Sequence, residues 1–417
     1  MSYYTSGIHC KQINPTSNSN NFRSEFKLPV SEGEIYLTDI RLCNVGRTTN
    51  TAVTINCLTG NTGMIKNIFL YDGNVVLDSI LNFDVYAGFR GGYNHTNNDS
   101  IDKNKFLWKN RMGSLATGPR DASQTSSTIV PANDRSRTTT SLDTTPKSWI
   151  SLKEWLAFLD ESMYLPTKVF TGLRVVVEYS SSLSDMFPDT QSATSNTTTP
   201  FLQVNQLVNP KAEEMANKSY KGVVFRPLEH TVVHVPAITP TVGNPNVEQD
   251  ITYTLNSYNN KTLQRLLMIK QPLRPNPSSL YGRLCSERQF KERNQVIVNG
   301  ANLLPQNGLT TENMAKAMLY DLWSDCVDIA GSGWLPDADN MVTESTATLG
   351  KLDYRSVMVE NFIQHIQVSF GRTGQFNVNG GDQTQYQSNG ALRLHMFGEV
   401  NKALMVNPDM TYSIRYV

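Results

Sequence analysis

The sequence predicts an all-β fold with a few short helices, laid out as two similar β-sandwich halves in tandem. Three observations carry that expectation. Short runs of alternating or β-branched residues recur along most of the chain between turn residues, whereas stretches with helical spacing are few. Two Asx-Gly turns flanked by apolar strands, Asp72-Gly73 and Asn299-Gly300, stand about half the chain apart, and each precedes an amphipathic stretch, Ser79–Phe89 or Thr311–Trp323. At 417 residues the chain also exceeds what one hydrophobic core comfortably serves.

Taken in order, the first twenty residues are polar and read as an arm. Phe26–Val30 and Glu34–Val45 read as strands, the second with apolar positions at Ile35, Leu37, Ile40 and Leu42, and Ala52–Leu58 as another. Asp72-Gly73 at the centre of a two-residue turn supplies positive φ at low steric cost, which makes a hairpin. Residues 91–147 are dominated by Asn, Ser, Thr, Asp and Gly without periodicity, the mark of a long surface excursion. Ser151 and Glu154 form a capping-box pattern ahead of a helix with Leu152, Trp155, Leu156 and Leu159 on its apolar stripe. Pro166 ends that segment, and Gly172–Tyr179 follows as a β-branched strand.

Residues 180–200 read as a Ser/Thr-rich loop and Lys211–Lys218 as a short helix between the halves. The second half opens with strands near Gly222–Pro227, His230–Val235 and Ile251–Leu255. Thr262–Ile269 fits strand or helix, Thr311–Cys326 has helical spacing, 331–350 is a polar loop, and Phe362–Phe370 and Gly390–Phe397 alternate as strands. Leu173-Arg174 and Leu392-Arg393 recur at nearly the spacing of the two Asx-Gly pairs, which suggests one duplicated unit. Many short antiparallel strands, a long excursion and one helix per half suit a jelly roll better than an immunoglobulin sandwich. The expected layout is an arm (1–24), a first jelly roll (25–200), a connector with a short helix (201–221), and a second jelly roll with a tail (222–417). Each jelly roll is expected to be eight-stranded, with its own core.

The charge is balanced, 37 basic against 37 acidic residues, and only 18% of residues are charged. That argues against a protein whose own basic face grips nucleic acid. No window is long and apolar enough to span a bilayer, and Met1–Gly7 has no signal-peptide pattern. The five cysteines are scattered without a Cys-x-x-Cys pair, so free, largely buried thiols are expected. The sequons at Asn94, Asn98, Asn196, Asn217 and Asn260 read as by-products of an Asn/Ser/Thr-rich chain.

Chemistry-bearing patterns are sparse. His230 and His234 fall on one face of a strand but lack a third ligand at matching spacing, so neither a metal site nor a cofactor is expected. There is no nucleophile elbow, and Cys326 lies in an apolar-spaced stretch. The acidic pairs Glu213/Glu214 and Asp337/Asp339 fall in polar surface segments. Gly88–Gly92 and Gly371–Gly374 match no phosphate-binding fingerprint and read as turns. Lys103–Arg111, the nearest approach to a basic-aromatic patch, sits in the long loop. No catalytic residue is expected; Asp72, Gly73, Asn299 and Gly300 are singled out as structural turns.

Several segments together resemble a known family. Leu70-Tyr71-Asp72-Gly73 with Leu77-Asp78 and Asn82-Phe83 resembles the first jelly roll of double jelly-roll major capsid proteins. So does Leu152–Tyr179, with Tyr164-Leu165-Pro166-Thr167 and Leu173–Tyr179. In the second half Asn260–Leu263, Gln295–Gly300 and Asn389–Arg393 fit the same pattern. The likeness spans most of residues 25–410, in the style of virophages and Polinton-like viruses among tailless icosahedral double-stranded DNA viruses. It implies two jelly rolls standing perpendicular to a virion shell, with three copies making a pseudo-hexagonal capsomer. It implies as partners further copies of the chain in neighbouring capsomers, penton and minor capsid proteins, and leaves open a membrane beneath the shell. No sequence-specific nucleic-acid contact and no enzymatic activity are implied. The alternatives are a minor or vertex capsid protein, which the duplication disfavours, and a two-jelly-roll glycan-binding or hydrolytic protein.

Overall fold

The computed structural model describes residues 7–19, 22–30, 33–45, 47–49, 64–87, 149–180, 195–197, 199–273, 293–303, 309–310, 354–375 and 389–417. The expected strand Ala52–Leu58, the loops 91–147 and 331–350, and the helical stretch Thr311–Cys326 lie outside those residues. In chain order the first half carries β1 (Gly7–Ile13), β2 (Ser17–Ser19), β3 (Arg23–Lys27), β4 (Glu34–Cys43), β5 (Arg47–Thr49), β6 (Ile65–Asp72), β7 (Val75–Leu81), β8 (Trp149–Ser151), β9 (Tyr164–Leu165), β10 (Leu173–Tyr179), β11 (Ser195–Thr197) and β12 (Phe201–Val208). Helices α1 (Ala157–Glu161) and α2 (Pro210–Ser219) accompany them. The second half carries β13 (Gly222–Phe225), β14 (Leu228–Val235), β15 (Asn246–Thr254), β16 (Lys261–Pro272), β17 (Arg293–Val298), β18 (Ala301–Asn302), β19 (Leu309–Thr310), β20 (Tyr354–Ile363), β21 (Ile366–Gln375), β22 (Leu392–Val400), β23 (Lys402–Val406) and β24 (Tyr412–Tyr416).

The two halves repeat one topology. The sheet path β1-β12-β4-β8 of the first half matches β14-β22-β16-β20 of the second, and β3-β10-β6-β7 matches β15-β21-β17-β18. Strands at matching places in these paths occur in the same order along the chain, as duplication of one sandwich would produce. Further described strands lie off these matching paths: β2, β9 and β19 join the same sheets, whereas β5-β11 and β13-β23-β24 form sheets of their own. The topology also corrects one internal match. Leu173-Arg174 lies on β10, in the sheet of the hairpin β6-β7, whereas Leu392-Arg393 lies on β22 in the opposite sheet. The counterpart of β10 is β21, since both sit next to the hairpin strand in their sheet.

Alternation builds the cores. On β6, Ile68 and Leu70 point inward, and on β10, Val175 and Val177 do. They meet Ile40, Leu42, Leu202 and Val204 from the facing sheet. On β4, Tyr36 continues that inner face, whereas Leu37 is only half-buried, because the strand's inward positions are the even-numbered ones. A fully buried side chain of this size contributes about 1.5–3 kcal/mol. A second core, from Val235, Leu266, Met268, Val296, Val368, Phe370, Leu394 and Met396 among others, lies wholly in the second half. The first core is not confined to its half. It continues into Phe225, Leu267, Ile269, Phe397 and Leu404, and Tyr412 and Ile414 pack against it.

Several local expectations are corrected. Gly7–Ile13 is not a free arm but an edge strand, paired antiparallel with β12 from Gly7↔Val208 to Ile13↔Leu202. Phe201–Val208 is not connector but a central strand between β1 and β4. The stretch Ser79–Phe89 runs as strand to Leu81 before a helical turn at 83–87. The capping box at Ser151 does not form: Leu152–Glu154 is one 3-10 turn without a side-chain cap, and α1 starts afresh at Ala157. Thr262–Ile269 resolves as strand, and Phe362–Phe370 contains the tight turn between β20 and β21. Gly371–Gly374 is strand rather than turn: a Cβ on Gly371 would lie 2.2 Å from Asp250 Oδ1, so the glycine leaves room for the Asp250 side chain of its paired residue on β15. Cys43 is buried and free, as expected, but Cys10 is exposed on the edge strand.

Candidate functional site at the junction of the two sandwiches

Asp72 and Asn299 stand one position apart in equivalent hairpins and do similar work. In the first hairpin the turn residues are Gly73 and Asn74, one position later than the sequence suggests, because Asp72 still pairs with Val75. Gly73 has φ +56°, the positive value a hairpin with glycine at its first central position needs. In the second hairpin Val298 pairs with Ala301, and both Asn299 (φ +51°) and Gly300 (φ +84°) are left-handed. Despite the shift, each Asx side chain clasps the backbone just before the neighbouring strand. Asp72 Oδ1 accepts from the Gly172 N–H at 2.6 Å, one residue ahead of β10, and the Gly73 N–H donates to Gly172 O at 3.0 Å. Asn299 Oδ1 accepts from the N–H groups of Gln364 (2.9 Å) and His365 (3.1 Å), just ahead of β21, and its Nδ2 donates to Phe362 O at 2.8 Å. The Asn299 N–H in turn donates to His365 O at 2.8 Å.

Among the described residues, the Asp72 clasp also reaches across the chain. Its second oxygen, Oδ2, accepts from Tyr412 Oη at 3.0 Å, a contact spanning 340 residues. Burial, then the Asp72 charge, raise the Tyr412 hydroxyl above its ordinary range. Tyr412 belongs to the three-stranded sheet β13-β23-β24, which packs on the first core. Gly222 starts that sheet at φ +120°, where a Cβ would stand 2.0 Å from Leu404 O.

Beside the clasp, β7 meets β14 across a cleft of about 250 Å3 lined by Val76, Asp78, Ser79, Glu229, His230 and Lys402 among others. Asp78 explains how α1 starts without a capping side chain of its own. Its Oδ2 accepts from the Phe158 N–H at 2.9 Å and its Oδ1 from the Ser79 N–H at 2.7 Å. Burial pushes its carboxyl up to about 6 against those bonds. Glu229 gathers Lys261, Lys402 and Tyr416. Burial works to raise its carboxyl, and these partners together bring it below the ordinary value. Deeper in, Asn82 of the first half meets His230 of β14, which meets His395 of β22, which meets Gln271 of β16. Tyr86 packs on Phe397 at 5.3 Å between centroids and closes the apolar side of the same contact.

These groups bind the chain to itself. Glu213 accepts from the Gly33 N–H and from Thr167, and Glu214 pairs with Lys218 on α2. Asn217, one of the sequons, is buried and accepts from the Lys168 N–H. His234 is exposed on β14. Among the described residues, no three His, Cys, Asp or Glu side chains are grouped to hold a metal ion, and no helix is long and apolar enough to cross a membrane. Sequence reading singled out Asp72, Gly73, Asn299 and Gly300 but missed Asp78, His395, Gln271 and Tyr412. Their partners lie far away along the chain, and no local spacing signals them.

No family model and no curated protein matches the sequence. Solved structures do. The capsid of PBCV-1 aligns over 100% of this chain and 98% of its own, at 9% identity and a TM-score of 0.57. The Sputnik virophage structure aligns over 100% of this chain and 90% of its own, at 8% identity and 0.60. The major capsid protein of mavirus aligns over 99% and 90%, at 9% identity and 0.54. At such identities the likeness establishes the fold, a double jelly roll running the length of the chain.

Proposed function

We propose that this chain is a major capsid protein that builds the shell of an icosahedral double-stranded DNA virus. The observation that carries the reading is the use of the whole chain: both sandwiches, in the order in which they occur, align with capsid subunits over nearly their full length. The internal repeat supports it, since two like sandwiches held side by side give one subunit two similar faces, and three such subunits close a pseudo-hexagonal ring. The chemistry of the junction fits a structural role, because its carboxylates and imidazoles are engaged with neighbouring parts of the chain. On this reading the protein catalyses nothing, its first partners are two further copies of itself, and neighbouring capsomers, penton and minor capsid proteins follow.

Size-exclusion chromatography with light scattering on the purified full chain tests the proposal. A trimer near neutral pH, or a larger assembly built from it, is the expected result. A chain that stays monomeric across the accessible concentration range and hydrolyses or binds a glycan overturns it.

A further inference from the structure

The hydrogen-bond chain Asn82–His230–His395–Gln271 has a direction that its ends impose. Gln271 Oε1 only accepts, so His395 carries its proton on Nε2, 3.0 Å away. His395 Nδ1 is then an acceptor, and His230 donates to it from Nε2 at 2.9 Å. His230 Nδ1 is left to accept from Asn82 Nδ2 at 3.3 Å. Each ring nitrogen has one partner and one role. A second proton on either ring would have to sit on Nδ1, where an N–H already points at it. One of those two links, Asn82 to His230, joins the first sandwich to the second.

We propose that His230 and His395 form an acid-sensitive latch between the two sandwiches, closed while both rings are neutral, opened by a proton on His230 and weakened when a proton on His395 removes the support His230 has from it.

The charged surroundings agree with this geometry. From β6, Lys66 lies toward both rings, its charge partly answered by the buried Asp84 at 2.9 Å. Arg393 from β22 and His234 from β14 add positive potential at His395. Across the cleft stand Asp78 from β7, Glu229 from β14 and Lys402 from β23. Burial, then Lys66, push His230 down to about 4. Burial, then its partner ring, Lys66, Arg393 and His234, push His395 well below the ordinary value.

The sign follows. Unfolded rings take a proton below about pH 6.5, whereas the folded rings resist it. The unfolded chain therefore binds more protons as pH falls from there toward the folded value, about 4 for His230. Over that window each ring lowers the folding constant by up to about tenfold per pH unit, and above it the latch is intact. Asp78 works in the opposite direction. Its carboxyl is raised to about 6, so its protonation below that value favours the folded chain. A comparison of variants that all keep Asp78 removes its contribution.

The latch concerns a single chain, so its test is separate from that of shell building. Ring nitrogen resonances of the six histidines, assigned by single substitutions, report the tautomers directly. At pH 7 His230 and His395 should both be protonated on Nε2 alone and should not titrate down to pH 5.5; ordinary titration of either near 6.5 overturns the proposal. Thermal midpoints from pH 7.5 to 5 should fall further in the native chain than in the double variant His230→Gln/His395→Gln, and parallel profiles overturn it. Should the double variant not fold, Asn82→Asp replaces the donor by an acceptor. It should raise the titration midpoint of His230 by a unit or more, and an unmoved midpoint overturns the latch.

Discussion

Removing the Asp72 carboxylate tests whether the first Asx clasp holds the junction. In Asp72→Ala the Gly172 N–H loses its 2.6 Å acceptor and Tyr412 Oη its 3.0 Å one. Asp72 is only 8% exposed, so water reaches the orphaned N–H poorly. A buried donor left unpaired costs about 1–3 kcal/mol, and the half-buried tyrosine adds less because its hydroxyl can turn to solvent. The expected loss is therefore about 2–4 kcal/mol of unfolding free energy. Asp72→Asn keeps an oxygen for Gly172 and places an amide beside Tyr412 Oη, which can rotate to accept; it should cost about 1 kcal/mol or less. That variant also installs the side chain the second half uses at Asn299. The assay is equilibrium urea unfolding followed by tryptophan fluorescence, with the buried Trp155 as a reporter in the first core. Asp72→Ala within about 0.5 kcal/mol of the native chain, or Asp72→Asn as damaging as Asp72→Ala, refutes the reasoning.

Gly73→Val and Gly300→Val should each lose about 1–2 kcal/mol, because a β-branched residue is forced to positive φ. No atom lies within 4 Å of a Cβ at either position, so the cost is conformational, and Gly243→Val, in similarly open space without a positive φ, should be near neutral in the same urea assay. Lys66→Met leaves the fully buried Asp84 without its lysine and should cost about 3 kcal/mol at pH 7, at the low end for a broken buried pair since Lys66 is itself a third exposed. The double variant Lys66→Met/Asp84→Asn should recover much of that loss, and no recovery would show that the charge is not what matters.

What the sequence showed well was periodic and local. The β-branched run of β10 and the helix expected over Lys211–Lys218 carry their signal within a few residues and appear where expected, and of the two turns Asn299-Gly300 does so while the first falls one position later, at Gly73-Asn74. What it hid was pairing. Gly7–Ile13 is polar and mostly exposed, so nothing in its composition marks it as a strand; only β12 beside it makes it one. Trp149–Leu159 carries a good helical stripe, yet Asp78 takes the Phe158 N–H and restarts the helix there, a tertiary bond overriding local propensity. The two Leu-Arg pairs misled for a similar reason, since likeness of sequence says nothing of which sheet a strand joins. The Asx-Gly pairs survived because the Asx side chain performs a bond in each half.

The sheet β13-β23-β24 has a consequence for how the chain is made. Leu404, Tyr412 and Ile414 complete apolar contacts of the first core, and Tyr412 closes the Asp72 clasp across 340 residues. A ribosome emits the first sandwich long before it emits these residues. Until they arrive, the nascent first half presents an open apolar side and an unfinished hairpin. Contacts of such separation form late, after the loop-closure entropy of the intervening chain has been met. Closure of the first sandwich thereby waits on the end of the second, and a chain truncated before β23 lacks the contacts of Leu404, Tyr412 and Ile414 with the first core.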